Sequence, residues 1–278
     1  IKTKTKIMMQ TKEKKQLSWQ LLFSVLMYIY MYLPILILTF YSFNKSPYSA
    51  GWSEFEFTLK WYVKLFQDTR ILTALKNSLT VGISAVMISA ILGTLMAVGL
   101  ARYRFTGRNL YKGVAYLPLI IPDIAIAVAT LVFLAAVGIR LSIWTIVAAH
   151  VVLCMSYVAL AVSARINNIN PHLEEAALDL GATPMQAFIQ VLLPELMPSI
   201  IAGCLISFVV SMDDFLIASF TAGTGANTLP MEIFSRIRTG VKPDINALSV
   251  MLILFSGILA FIAENIRLKS EQKKEVKG

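Results

Sequence analysis

The sequence has 278 residues, of which 57% are hydrophobic and only 15% are charged. Soluble globular proteins carry nearer a quarter charged residues, so this chain is too apolar to cover a globular surface in water. Its net charge of +9 does not indicate nucleic-acid binding, because the basic residues lie at the chain ends and in short segments beside apolar runs. The composition predicts an integral membrane protein.

Six apolar runs predict six transmembrane helices, because about 20 residues at about 1.5 Å per residue cross roughly 30 Å of hydrocarbon. The first run, 21–43, follows a basic tail (1–20) and is too long for the core of a cleavable signal peptide. The other runs are 78–100, 114–138, 143–162, 200–220 and 247–266, and a second basic tail occupies 267–278. The transmembrane region, 21–266, is therefore expected to be all-α.

The segment after the first apolar run and the second apolar run itself each have a distinctive composition. Between the first two runs lies a charged, amphipathic segment with Trp61 and Tyr62, a composition that suits a membrane interface. The second run is rich in small residues such as Gly82, Gly93 and Gly99. Small residues let helix backbones approach closely in lipid, so this helix is expected to be packed on several sides.

The distribution of basic residues predicts the orientation. With the N-terminus in the cytoplasm, 16 Lys and Arg lie inside and 9 lie outside, which the positive-inside rule favours. Both termini and the loop 165–197 are then cytoplasmic, and the segment 221–246 is external with a short helix over 231–239. Arg236, Arg238 and Lys242 of that segment offer charges to a partner, but a solvated face is the safer interpretation.

The loop 165–197 carries the signals of two short helices. Asn170 is a good N-cap, Pro171 suits the first helical position, and Glu174 and Glu175 lie in the first turn, where the helix dipole favours anions. Gly181 suits the left-handed residue that closes a helix.

A second helix is expected directly afterwards. Thr183 and Gln186 have the spacing of a capping box, and Pro194 is expected to end the helix or bend the chain sharply. Such a rigid pair between two membrane spans suggests a docking element, although capping alone leaves open that any loop of this length forms local helices.

The motif in this loop is more specific than its capping. The run Glu175-Ala176-Ala177, then Gly181 after three residues and Val191-Leu192-Leu193-Pro194 after nine more, resembles the EAA loop of bacterial ABC importer permeases. Val191 stands where that family usually has Ile. We call residues 165–197 the EAA loop.

The resemblance implies a type I ABC importer permease in the bacterial inner membrane, whose EAA loop sits in a groove of an ATPase subunit and transmits nucleotide-driven motion. The coupling residues that it implies are Glu174, Glu175, Ala176, Ala177, Asp179, Gly181 and Pro194.

The chain itself is not expected to be an enzyme or to hold a cofactor. A phosphate-binding loop needs a Gly-Lys pair, which the sequence lacks, so ATP and Mg would be bound by a partner ATPase. Cys154 and Cys204 lie in apolar runs, and His150 and His172 are isolated in sequence without metal-ligand spacing. We expect no catalytic residue and no metal site.

Acidic residues inside apolar runs are the candidates for a transport path. Asp123 lies about ten residues into its run, or roughly 15 Å deep, close to Pro118 and Pro122, and Asp213 and Asp214 lie in the fifth run. Carboxylates in a bilayer usually face a bundle interior or a water-filled path. No Lys or Arg lies in the core of any run, so a cation is expected there. The alternatives are that these residues cap helix breaks, pair with another subunit or lie beyond the hydrocarbon.

A narrower resemblance suggests which cation. Four segments are similar to the second permease subunits of spermidine/putrescine importers: Pro122-Asp123-Ile124, Ser211-Met212-Asp213-Asp214-Phe215, Leu229-Pro230-Met231-Glu232-Ile233 and Asn246-Ala247-Leu248. The resemblance extends over about 32–266 and implies four partner chains besides the bilayer: a second homologous permease, two ATPase subunits and an external polyamine-binding protein. The residues that it associates with polyamine passage are Trp61, Asp123, Ser211, Asp213 and Asp214.

The chemistry of these residues agrees with a polyamine substrate, because a polyamine is a chain of ammonium groups that can bind to carboxylates and to aromatic faces. The position of Trp61 is equally compatible with a simple role as an anchor at the membrane interface. The alternatives are another organic cation or amine as substrate, or an ion-coupled secondary transporter or channel, which would not need the EAA loop. An intramembrane enzyme is disfavoured, since no Ser-His, His-Glu or metal constellation falls at matching depth in the sequence.

Overall fold

A computed structural model describes residues 2–46, 55–170, 172–240 and 243–275, and the side chains of 19–46, 55–170, 172–240, 243–258 and 261–262. Ile1, Pro171, Lys242 and 276–278 lie outside the described residues, so the helix-start role expected of Pro171 and the charge expected of Lys242 have no structural counterpart here. Among the described residues the regular structure is helical, with one isolated bridge between Asn44 and Phe57, which confirms the all-α prediction.

The described part of the chain contains twelve α-helices. They are α1 (Lys2–Ser42), α2 (Lys60–Gln67), α3 (Thr69–Arg102), α4 (Arg108–Tyr116), α5 (Asp123–Ala136), α6 (Ile143–Ile166), α7 (His172–Asp179), α8 (Pro184–Ala187), α9 (Leu193–Asp213), α10 (Leu216–Thr221), α11 (Leu229–Arg238) and α12 (Pro243–Glu275). A 3₁₀ turn, Leu117–Leu119, follows α4, and a π-helical turn, Phe188–Leu192, joins α8 to α9.

The chain forms two compact units. The first comprises Ile1–Leu65 and Gly240–Met251, and the second comprises Phe66–Thr239 and Leu252–Gly278. In the first unit, the part of α1 over Trp19–Ser42 is long and apolar enough to cross a membrane, close to the predicted first span. Its most apolar stretch has no buried residue among the described part of the chain.

The core of the second unit is built from α3, α6 and α9. A methyl group placed on Gly93 of α3 would lie 2.8 Å from the carbonyl oxygen of Met155 on α6. One placed on Gly203 of α9 would lie 3.0 Å from the Cα atom of Val158, also on α6. Two glycines thus let α3 and α9 approach the same part of α6, and half of the most apolar stretch of α3 is buried. This confirms the predicted close packing of the second span.

The predicted third span is wrong as a straight helix. The segments Arg108–Leu119 and Asp123–Ala136 meet at an angle of 107°. Pro118 still lies inside the first segment, in its final 3₁₀ turn, but Pro122 has an extended backbone with ψ of 137° and cannot donate a backbone hydrogen bond, so the helix is interrupted before Asp123. Asp123 is therefore the first residue of α5, and a depth of roughly 15 Å counted along a straight helix does not apply to it.

The predicted fifth span begins earlier and ends earlier than expected. Pro194 neither ends the helix nor bends the chain sharply, because the π-helical turn before it lets the backbone of Leu193 donate to the carbonyl of Phe188. This wider turn accommodates a proline that lacks an N–H and crowds the preceding turn. Helix therefore runs from Pro184 to Asp213, long enough to span a membrane, and breaks at Asp214 instead of continuing to residue 220.

The described residues contain up to five candidate membrane spans. Four are long apolar helices, and the fifth is the bent pair if it forms a single span. The predicted sixth span falls on α12, whose described apolar part, Pro243–Ile258, is shorter than a full span. The count of six therefore stays a prediction.

Candidate cation path and EAA loop

The break between α9 and α10 separates the roles of two neighbouring carboxylates. Asp214 has an extended backbone, and its side chain accepts hydrogen bonds from the backbone N–H groups of Ile217 (3.2 Å) and Ala218 (2.8 Å) in the first turn of α10. It therefore caps α10, as one of the sequence-based alternatives expected. Asp213 is exposed, and its carboxylate has no hydrogen-bond partner within the described ranges.

His150 is not isolated, as the sequence suggested, but lies at this break. Its Nδ1 atom is 2.7 Å from Oγ of Ser211, and its Nε2 atom is 3.2 Å from Oδ2 of Asp214. The side chain of His150 is only 2% exposed and that of Asp214 only 7%. The partners lie 61 and 64 residues away along the chain, so no local pattern joins them; the available signal was a histidine inside an apolar run.

The cluster places a serine, a histidine and an aspartate together, which corrects the expectation that no such constellation exists. Its geometry does not suit hydrolysis. Ser211 is buried, and a methyl group on Gly82 of α3 would lie 3.6 Å from its Oγ atom, so the hydroxyl faces a helix backbone instead of an open cleft. The cluster is a polar bridge between α6 and the α9–α10 break.

Asp123 is exposed at the start of α5, where the helix dipole stabilises its negative charge. Its carboxylate has no hydrogen-bond or ion-pair partner in the described part of the chain. A cluster of Ala127, Ala149, Leu153 and Ile217 packs α5 against α6 and α10. The helices next to both acidic breaks therefore belong to one packed group.

Trp61 lies in the first unit and is 8% exposed. Its indole N–H donates to the carbonyl oxygen of Asn44 at 2.7 Å, and the Nζ atoms of Lys60 and Lys64 lie 5.7 and 5.5 Å from its ring centroid. These contacts give the ring a packing role within its unit. A role in polyamine passage stays a prediction.

The EAA loop folds locally as its capping signals predict. The carboxamide of Asn170 accepts the backbone N–H of His172 at 3.0 Å, and Gly181, two residues after the last residue of α7, has a φ of +88°. The backbone N–H of Ala182 reaches back to the carbonyl of Ala177 at 3.0 Å, as in a Schellman motif. Thr183 and Gln186 form the expected capping box, with hydrogen bonds in both directions.

The two glutamates at the start of α7 have different surroundings. Glu174 forms an ion pair with Arg102 at the end of α3, and the Arg102 guanidinium lies 5.7 Å from the ring centroid of Phe188. Glu175 is exposed, and its carboxylate lies 2.8 Å from Nδ1 of His172. The pairing of Glu174 was not predicted, because Arg102 is 72 residues away.

The other predicted coupling residues differ in how exposed they are. Ala176, Asp179 and Gly181 are exposed and Ala177 is half-buried. Pro194 lies in the first turn of α9, after the π-helical turn. The exposed residues of α7 therefore include Glu175, Ala176 and Asp179, together with Leu173 and Leu178.

The segment predicted to be external, 221–246, is tied to the start of α3 instead of presenting a solvated row of charges. Arg236 hydrogen bonds to Oδ2 of Asp68 and to Oε1 of Glu232, both at 2.8 Å. Burial raises the pKa of Asp68, but the hydrogen bonds from Arg236 and from the backbone of Ile71 outweigh it and leave the pKa below its usual value. The interpretation of Arg236 as part of a solvated face is wrong. Arg238 is exposed, with its guanidinium 4.8 Å from the ring centroid of Phe234.

The packed helices, the broken span and the capped loop define a helical membrane protein with the fold of type I ABC importer permeases. A solved bacterial ABC transporter that imports the acidic polysaccharide alginate has this fold, with a TM-score of 0.70 at 15% identity, covering 89% of this chain and 95% of that one. The chain belongs to the family of inner membrane components of binding-protein-dependent transport systems, whose model matches residues 89–275. It is accordingly a multi-pass protein of the inner membrane.

Two curated relatives are similar over most of their length. The chain is 39% identical over 267 residues to the putrescine transport system permease protein PotI of Escherichia coli strain K12, covering 92% of this chain and 93% of the relative. It is 36% identical over 248 residues to the spermidine/putrescine transport system permease protein PotC of Haemophilus influenzae, covering 89% and 96%.

Proposed function

We propose that this chain is the permease subunit of an ATP-driven importer that takes up polyamines such as putrescine and spermidine. The similarity to polyamine permeases over about nine-tenths of the chain carries the proposal. The alternative within the same class is another organic cation or amine.

The acidic residues support a cationic substrate. Asp123 and Asp213 are exposed beside breaks in apolar helices, and neither carboxylate has an ionic partner among the described residues. Such charges are costly in a membrane unless they face water or a counter-charge. In the assembled importer, ammonium groups of the substrate would supply that counter-charge, with methylene segments lying between them.

The EAA loop supports a partner ATPase. Glu175 and the small residues Ala176 and Ala177 would enter a groove of the ATPase, and the ion pair between Glu174 and Arg102 would pass the movement of α7 directly to α3. ATP and Mg would be bound by that partner. This arrangement needs both termini and the EAA loop in the cytoplasm, as the distribution of basic residues predicts.

The complete importer would contain this chain, a second homologous permease, two ATPase subunits and an external polyamine-binding protein. The two permeases would alternate between outward-open and inward-open states as the ATPase pair closes and opens. The exposed apolar surface of α1 suits burial in lipid or in such an assembly.

Uptake by the reconstituted complex tests this function. The complex in proteoliposomes, with its binding protein, is expected to accumulate labelled putrescine or spermidine only when ATP is hydrolysed. Excess unlabelled polyamine should compete, whereas an amino acid or a quaternary amine should not. Preferred uptake of another amine would support the alternative substrate, and uptake without ATP hydrolysis would indicate an ion-coupled transporter and refute the proposal.

A further inference from the structure

His150 contacts one residue before and one residue after Asp213 in the cluster at the helix break. Ser211 precedes Asp213 in the last turn of α9, and Asp214 follows it in the break. The imidazole contacts Ser211 through Nδ1 at 2.7 Å and Asp214 through Nε2 at 3.2 Å. One buried ring on α6 therefore spans the segment from which the Asp213 carboxylate projects.

The tautomer of His150 sets the direction of both hydrogen bonds. A carboxylate only accepts, so the tautomer with its hydrogen on Nε2 donates to Asp214, and Nδ1 of that tautomer accepts from the Ser211 hydroxyl. Both ring nitrogens are satisfied by these two residues, which explains how the ring can be buried among apolar helices.

These bonds hold a segment that would otherwise be free to move. The last carbonyls of α9 and the first N–H groups of α10 have no partners within their own helices, and such ends normally fray. Asp214 already accepts from the backbone of Ile217 and Ala218 in α10. With Ser211 and Asp214 held against α6, the backbone of Asp213 is held from both sides, and its side chain is exposed.

We propose that His150 is a positioning residue of the transport path, which directs the carboxylate of Asp213 toward the ammonium groups of the substrate. The inference rests on the proposed function for the identity of that cation. It assigns substrate contact to Asp213 and a holding role to His150, Ser211 and Asp214.

Transport kinetics of the reconstituted complex test the role of His150. His150→Leu is expected to raise the KM for polyamine uptake about tenfold, a loss of about 1.4 kcal/mol in binding, while basal ATP hydrolysis and the amount of assembled complex stay unchanged. His150→Asn keeps a polar atom near the position of Nδ1 and His150→Gln keeps one near Nε2, so each should retain one bond and restore part of the affinity.

Ser156→Ala is the matched control. Ser156 also lies on α6, is fully buried and donates to the carbonyl of Ala115 on a neighbouring helix at 2.8 Å, but it does not contact the break. Its loss should leave KM unchanged. In an Asp213→Asn background, His150→Leu should add no further rise in KM, because the group that it positions is already neutral.

A purely structural role predicts a different pattern: less assembled complex or a lower maximal rate, with the wild-type KM and no rescue by Asn or Gln. That pattern, or effects of His150→Leu and Asp213→Asn that simply multiply, would overturn the inference.

A measurement without substrate separates this inference from the proposed function. Asp213→Cys, in a complex whose Cys154 and Cys204 are replaced by Ala, should react with a positively charged thiol reagent. Adding His150→Leu should change the reaction rate severalfold, and adding Ser156→Ala should not. Equal rates refute the positioning role even if polyamines are transported, and a changed rate supports it even if the substrate is a different cation.

Discussion

Replacing Gly93 by Ala is expected to destabilise the transporter, because α3 and α6 are in backbone contact at that point. The new methyl group would lie 2.8 Å from the Met155 carbonyl oxygen and 2.9 Å from Cβ of Val158. Neither atom is the end of a flexible side chain, so the two helices must separate by several tenths of an ångström. Overpacking of this kind costs about 1–3 kcal/mol.

Gly99→Ala on the same helix is the control, because a methyl group there meets no atom of the described chain within 4 Å. Alanine in a helix interior is favoured over glycine by roughly 0.5–1 kcal/mol, so Gly99→Ala should be neutral or stabilising. Gly93→Ala has the same gain in helix propensity, so the two variants should differ by the overpacking cost of about 1–3 kcal/mol in stability. Thermal unfolding of the purified complex, followed by intrinsic fluorescence, measures the difference. Equal unfolding temperatures would show that the α3–α6 contact is not as close as described.

Three further predictions concern transport and pH. Asp123→Asn should lower polyamine uptake and leave assembly and ATP hydrolysis intact; unchanged uptake kinetics remove Asp123 from the path. Glu175→Ala should uncouple ATP hydrolysis from uptake by weakening contact with the ATPase, whereas Glu174→Ala should lower uptake by releasing α7 from α3, and normal ATP-dependent uptake by both variants would contradict the coupling role. The ionised carboxylate of Asp68 has a lowered pKa, so its contribution to holding α11 is present above its unfolded value near 3.8 and is lost as the pH falls through the folded value. The protection of α11 amides, measured as hydrogen exchange relative to the intrinsic rate at each pH, should therefore fall in acid, and Asp68→Asn should show that lower protection already at neutral pH.

Local interactions explain which parts of the EAA loop were predictable. The cap at Asn170, the left-handed Gly181 and the Thr183–Gln186 box each depend on residues at most a few positions apart, and all three form as expected. The outcome at Pro194 was not predictable in the same way. A proline usually ends a helix, but here one π-helical turn before it keeps the backbone hydrogen-bonded.

The sequence by itself determined that this chain is helical and crosses a membrane, where its apolar runs lie, and that it carries an EAA loop, because hydropathy, capping and motif spacing are properties of neighbouring residues. Only the tertiary structure decided that Asp214 is a bonded cap while Asp213 is exposed, that His150 holds the break, and that Glu174 pairs with Arg102. The contacts of His150 and of Glu174 join residues more than 60 positions apart, so they depend on how the helices pack, which glycines such as Gly93 allow to be close.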